Sequence, residues 1–189
     1  MSLTWSLRQR YNTDMNQNRN YKGRKLPQVL NQQEVEALLK IPNKRAATGL
    51  RNRAILGLMV NAGLRVSEII GKEGEDDLKN CGGLRLDHID LKTGDLRIIN
   101  GKGGVDRNLA MDDEDVEILK KWLRVRPATE NNLIFCTLKG ERMENRYLRS
   151  MVARIAKKAG IKRRVYPHLL RHTALTDLYS DTKNVLSFS

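Results

Sequence analysis

YPHLLRHT, residues 166–173, puts a proline at the head of a helix and crowds two histidines and an arginine into its first turns. Pro167 suits a first helical position, where its missing N–H leaves no hydrogen bond unmade. On such a helix His168, Arg171, His172 and Leu175 stand at i, i+3, i+4 and i+7 and share a face. Three chemistries fit that face: a metal site, a packed core helix, or part of an active site. A zinc site would use His168 and His172 as an i, i+4 pair. Leu169 stands where H-E-x-x-H carries its glutamate, His88 is the one other histidine, and no cysteine cluster supplies further ligands. The expectation is no metal and no cofactor. Core packing accounts for His172. It does not account for Arg171, because a guanidinium on a half-buried face requires an anionic partner.

Working outward, the apolar spacing predicts helices before and after a small sheet. Asn31 and Glu34 form a capping-box start for a helix with Val35, Leu38 and Leu39 on its apolar face. Ala54, Ile55, Leu58, Met59 and Ala62 recur at helical spacing, with Gly63 as the stop. Leu64–Ile70 reads as a further short helix, and GKEGEDDLKNCGG (71–83) as an acidic, glycine-rich surface loop. Residues 95–99 and 105–109 read as strands flanking the turn Asn100-Gly101-Lys102-Gly103-Gly104, with LRLDHID (84–90) as a third strand. Asp112 or Asp113 caps a helix bearing Val116, Leu119, Trp122 and Leu123, which Pro127 ends. After a short LIFCT segment, Leu148, Met151, Val152, Ile155 and Ala159 trace one stripe that Gly160 ends. The expected fold is mainly α with a small antiparallel β-sheet. Residues 1–25 are polar and Asn/Gln-rich and read as a tail or interdomain linker, with the ordered domain spanning 26–189.

Charge identifies the class of anion. The 189 residues carry 35 Lys+Arg against 22 Asp+Glu, a net charge of +13. That excess favours a polyanion, and nucleic acid above all. Arg146, Arg149, Arg154, Lys157, Lys158, Lys162, Arg163 and Arg164 form a dense cationic stripe just ahead of YPHLLRHT. Arg146, Arg149, Lys162, Arg163 and Arg164 are the candidate contacts to DNA phosphates. No basic amphipathic helix with an aromatic face points to a membrane surface, and no apolar run approaches the roughly 20 residues that span a bilayer. Cys81 and Cys136 are isolated and lack CxxC spacing, which argues for a reducing compartment. No signal-peptide pattern opens the chain, so the expected location is the cytoplasm.

Two more cations fit a phosphate. Arg65 follows Gly63-Leu64 at a helix-to-helix corner, where its side chain projects into a cleft and Glu68 can orient it. Lys102 tips a glycine-rich turn that lacks the G-x-x-x-x-G-K-[ST] pattern of a nucleotide loop, so it reads as a mobile lysine that can donate a proton.

GLRVSEI at 63–69, the GKGG hairpin with Lys102 followed by Arg107, and PHLLRHT at 167–173 occur in this order. Together they resemble the tyrosine recombinases, or phage integrases, to which the Xer-type recombinases belong. The resemblance runs from about Leu26 to the chain end, and LPQVLNQQEVEALL looks like the family's entry into its catalytic domain. It implies metal-free, ATP-free cutting and rejoining of double-stranded DNA through a 3′-phosphotyrosyl intermediate. Arg65 and Arg171 would hold the non-bridging oxygens of the scissile phosphate. Lys102 would protonate the leaving 5′ oxygen, and His168 would hydrogen-bond the phosphate or assist proton transfer. His172 matches a histidine that is usually structural. The resemblance also implies a DNA-bound tetramer for a full-length protein, with this chain expected to be a monomer in solution. The family's Leu-Gly-His motif and nucleophilic tyrosine do not appear before Ser189, and Tyr179 sits too close to Arg171 to replace it. The expectation is therefore a recombinase catalytic domain truncated ahead of its nucleophile and inactive in cleavage by itself. The alternative is a non-catalytic DNA-binding accessory or inhibitory paralogue of the same fold. A type IB topoisomerase shares the chemistry but fits these boxes less well.

Overall fold

The computed structural model describes residues 29–72, 82–99, 106–129 and 132–186, with side chains described through Tyr179. Its elements run α1 (Gln32–Lys40), α2 (Ala47–Val60), α3 (Val66–Ile70), a 3-10 turn (Leu86–His88), β1 (Ile89–Asp90), β2 (Asp95–Ile98), β3 (Arg107–Ala110), α4 (Asp113–Val125), α5 (Asn145–Lys158) and α6 (Pro167–Leu186). The expected architecture, helices with one small antiparallel sheet, is the one found.

The α1 start is set by its capping box. The Asn31 side chain accepts the Glu34 N–H at 2.9 Å, and the Glu34 carboxylate accepts the Asn31 N–H at 2.9 Å. Val35 and Leu38 turn inward.

The centre of the molecule is α2, which packs against α1, α4 and α6. It is buried nearly all round, from Leu50 to Val60, so no single apolar stripe marks it. Two arginines lie inside it. Arg51 donates to the Cys136 carbonyl at 2.8 Å and the Tyr147 hydroxyl at 2.7 Å, with its guanidinium over the Tyr147 ring. Arg53 pairs with Asp115 of α4 at 2.8 Å, both side chains almost wholly buried. Gly57 makes that approach possible: a Cβ there would lie 2.1 Å from a carboxylate oxygen of Asp115.

Helix α2 begins four residues before the RNRAILGLMVNAG stretch, without a side-chain cap, and ends at Val60. Gly63, at φ +63°, supplies the left-handed turn between α2 and α3.

The sheet has the order β1-β2-β3, both pairings antiparallel. Leu96 faces Leu109 across β2 and β3, and Ile98 faces Arg107. The LRLDHID segment contains a 3-10 turn at Leu86–His88, and only Ile89 and Asp90 join the sheet. The turn expected at 100–104 lies outside the described residues, as does most of the acidic loop 71–83.

Asp112 caps α4 by accepting the Asp115 N–H at 2.7 Å, and Trp122 on that helix donates from its indole to the Ile134 carbonyl at 2.8 Å. Helix α5 buries Leu148, Met151, Val152, Ile155 and Ala156 and leaves its arginines and lysines in solvent. Pro167 opens α6, whose Leu169, Leu170, Thr173 and Ala174 enter the core.

Candidate active site: arginines gathered on one carboxylate

Arg65 is the N-cap of α3, with extended backbone. The third residue of that helix, Glu68, reaches back to it, which is the geometry of a capping box. The Glu68 carboxylate accepts the Arg65 backbone N–H at 2.8 Å and the Arg65 guanidinium at 2.8 Å. One side chain therefore fixes both the helix start and the direction of the arginine. Arg65 keeps a third of its side chain in solvent, whereas Glu68 is only 2% exposed.

Glu68 also meets β3. Arg107 donates through both terminal nitrogens, at 2.9 Å and 2.7 Å to the two carboxylate oxygens, a bidentate fork. From α6, Arg171 donates to the Gly63 carbonyl, and its guanidinium stands 3.8 Å from Glu68 Oε2. Three guanidinium groups from α3, β3 and α6 thus surround one carboxylate. Burial alone would push the Glu68 carboxyl up. The Arg107 fork, the Arg65 N–H and the Arg65 guanidinium more than offset it and hold the group at about 2.

His168 extends this cluster along α6. Its Nε2 lies 3.0 Å from His172 Nε2, and the two rings meet edge to face with centroids 4.4 Å apart. A single proton bridges two nitrogens at that separation, so at most one of these rings is cationic without breaking the contact. Partial burial, then His172, Arg171 and Arg65, lower the His168 pKa below its ordinary value of 6.5. The arginine field reaches this ring, which stays a neutral imidazole at neutral pH.

Arg65, His168 and Arg171 are therefore brought to one place. Lys102 lies outside the described residues. Of the residues read as DNA contacts, Arg146 and Arg149 are exposed on α5, and Lys162 and Arg164 are exposed on the turn that follows. Arg163 is half-buried and paired with Glu34 of α1. Sequence reasoning did not single out Arg107 as a member of the cluster. Its signal was available in the strand period: Arg107 and Leu109 lie two residues apart on the inward face of β3. An arginine on such a face requires an acid partner.

A family model described as the phage integrase family matches residues 28–185. Tyrosine recombinase XerD from Ralstonia nicotianae is 33% identical over 159 residues, covering 82% of this chain and 48% of that protein. XerD from Staphylococcus saprophyticus is 34% identical over 160 residues, covering 82% and 50%. The chain spans about half the length of these curated relatives. The XerA recombinase crystal structure superposes with a TM-score of 0.69 at 28% identity, covering 84% of this chain and 53% of that one. The XerH site-specific recombinase, in a post-cleavage complex with a palindromic difH substrate, gives a TM-score of 0.66 at 31% identity, covering 86% and 45%. With the arginine cluster already placed on its three elements, these matches show that the chain belongs to the phage integrase family and carries an Xer-like tyrosine recombinase catalytic domain.

Proposed function

We propose that this domain cuts and rejoins double-stranded DNA in site-specific recombination, through a 3′-phosphotyrosyl intermediate. One observation carries the reading: Arg65 and Arg171, far apart in sequence, converge on the carboxylate of Glu68, and His168 lies within the field of both arginines. Two oriented guanidiniums match the two non-bridging oxygens of a phosphodiester, and their charge counts most as the pentacovalent transition state forms. A tyrosine oxygen attacks phosphorus, the bond to the 5′ oxygen breaks, and that oxygen leaves with a proton from Lys102. Neutral His168 hydrogen-bonds the phosphate or passes a proton. No metal or nucleotide is required.

The nucleophile in this reading comes from outside these 189 residues, which therefore do not cleave DNA alone. Tyr179 is eight residues beyond Arg171 on the same helix, about 12 Å along its axis at 1.5 Å per residue, and is not the nucleophile in this reading. Arg146, Arg149, Lys162 and Arg164 contact the DNA backbone and supply most of the affinity. The full-length protein acts as a tetramer on DNA in the cytoplasm, and this chain alone is a monomer.

The test is covalent trapping. A cognate site is selected from random duplexes by binding. The chain, extended with a recombinase tyrosine segment, is then incubated with nicked suicide versions of that site. A covalent protein–DNA adduct that Arg171→Ala abolishes, with most DNA affinity retained, supports the reading. Tight site-specific binding with no adduct would instead favour a non-catalytic DNA-binding paralogue.

A further inference from the structure

Glu68 is buried between elements that have no reason to hold a charge unless something fixes it there. Its own helix supplies one partner, Arg65. The bidentate contact comes from β3, through Arg107. A monodentate partner leaves a carboxylate free to rotate about its terminal torsion, whereas a two-pronged fork sets its plane. Once that plane is set, Glu68 Oε1 points at the Arg65 guanidinium and Oε2 at the Arg65 N–H, with Arg171 3.8 Å from Oε2. The strand pairing adds rigidity, because Arg107 sits opposite Ile98, itself buried in the core.

We propose that Arg107 is a positioning residue of the phosphate pocket: it acts through Glu68, aiming Arg65 and Arg171 without itself holding the phosphate. This rests on the phosphate-pocket reading given above, and it assigns β3 a task that none of the residues there was given. It also explains why the pocket contains a carboxylate at all. Left alone, two guanidiniums side by side repel one another and sample many rotamers. A buried carboxylate held by a third guanidinium gives them one shared anchor, so the orientation exists before DNA arrives. The same fork makes the arrangement depend on the sheet: a shift of β3 against β2 would move the anchor and both arginines with it.

The experiment uses the 189-residue chain and two readouts. The first is the titration of Glu68, followed by the 13C resonance of its side-chain carboxyl in wild type, Arg107→Ala and Arg107→Lys. The second is binding of orthovanadate, which adopts the five-coordinate geometry of the transferring phosphorus, in the same proteins and in Arg171→Ala. Thermal unfolding is recorded for each. Arg107→Ala is expected to move the Glu68 midpoint up towards 4.5 from about 2. It is expected to weaken vanadate about tenfold, the scale of losing one oriented charge-assisted hydrogen bond. Arg107→Lys keeps a positive charge but not the fork, so it should hold the midpoint low while still weakening vanadate. A merely structural residue would change the melting temperature without weakening vanadate in the folded Arg107→Lys protein. Should Arg107→Ala fail to fold, Arg107→Lys decides, and vanadate affinity equal to wild type in it overturns the proposal. An unmoved midpoint in Arg107→Ala, or unchanged vanadate affinity with a moved one, also overturns it. Vanadate binding insensitive to Arg171→Ala is a different result: it sinks the phosphate-pocket reading on which the proposal rests.

Discussion

The hydroxyl of Thr173 accepts the backbone N–H of Leu30 at 3.0 Å, joining the entry of the domain to the inner face of the helix that carries His168 and Arg171. Thr173 is fully buried and also donates to the Leu169 carbonyl one turn earlier at 3.0 Å. Arg171 and His172, the two residues before it, are only half-buried. The bond therefore sets how α6 lies on the core and, through it, where the face bearing His168 and Arg171 points.

Thr173→Val keeps the shape and leaves the buried Leu30 N–H without a partner. The expected loss is about 1–3 kcal/mol in urea unfolding, the cost of an unmet buried donor. Thr173→Ser keeps the hydroxyl and removes one buried methyl, so it should lose about 1 kcal/mol. Equal stability of the valine variant and wild type would show that the Leu30 N–H finds another partner.

Glu68 makes stability depend on acid pH. Its folded pKa of about 2 lies below the ordinary 4.5, so the folded state binds fewer protons than the unfolded chain between those values. The stabilisation is fully present above pH 4.5 and is lost as pH falls towards 2. The gap corresponds to on the order of 3 kcal/mol at 1.36 kcal/mol per pKa unit. Urea unfolding at pH 7, 5 and 3 should therefore show a decline between the last two that Glu68→Gln flattens. A parallel decline in both proteins would place the acid sensitivity elsewhere.

Asp115 is the opposite case, although it too faces an arginine. Burial pushes its carboxyl up, and neighbouring Asp112 adds to that; the single Arg53 contact and the Asn61 amide at 2.8 Å only partly offset them. Where Glu68 receives a fork and a backbone N–H, Asp115 receives one guanidinium nitrogen. Asp115→Ala leaves the buried Arg53 guanidinium with only the exposed Glu114 carboxylate, 3.1 Å from its other terminal nitrogen, an expected loss of about 3 kcal/mol. The pair replaced together, Arg53→Met with Asp115→Leu, should recover most of it, measured by the same unfolding. Failure to recover would mean that the pair contributes more than mutual neutralisation.

Much of this was legible in the sequence. Amphipathic spacing located α1, α4 and α5, Pro167 located the start of α6, and the other ends followed from Asn31, Asp112 and Gly160. The ends of α2 were not legible, because a helix buried on all sides has no polar face and its first residues carry no capping side chain. The strands were readable as segments, but their register was not. A glycine-rich turn fixes no register by itself, and a slip of one residue would have turned Arg107 outward. Thr173 gave no signal either, since a buried hydroxyl in a helix announces nothing until its partner, 143 residues away, is known.

DNA binding should separate the two kinds of arginine near α5. Arg146 and Arg149 are exposed on that helix, while Arg163 is engaged by Glu34. In a plot of log affinity against log salt, the double variant Arg146→Ala/Arg149→Ala should lower the slope by about 2, at about 0.9 for each phosphate no longer neutralised. Arg163→Ala should leave the slope unchanged and reduce stability instead. A slope decrease in Arg163→Ala equal to that of one exposed arginine would show that DNA displaces the Glu34 pair.

His168 should report on the pocket. Its folded pKa is depressed first by partial burial, then by His172, Arg171 and Arg65, which are the charged and titratable groups facing it. Stability from this source is therefore constant above pH 6.5 and declines as pH falls below it, because the unfolded chain takes up the proton first. An NMR titration should place the His168 midpoint below 6.5, and His172→Gln should raise it by removing one of the groups that oppose its charge. Arg171→Ala should raise it as well. A DNA phosphate seated between Arg65 and Arg171 would act in the same direction, since its negative charge offsets both guanidiniums and favours the imidazolium. The midpoint measured with bound duplex should then exceed that of the free chain. An unchanged midpoint would place the phosphate away from these two arginines, whatever the affinity.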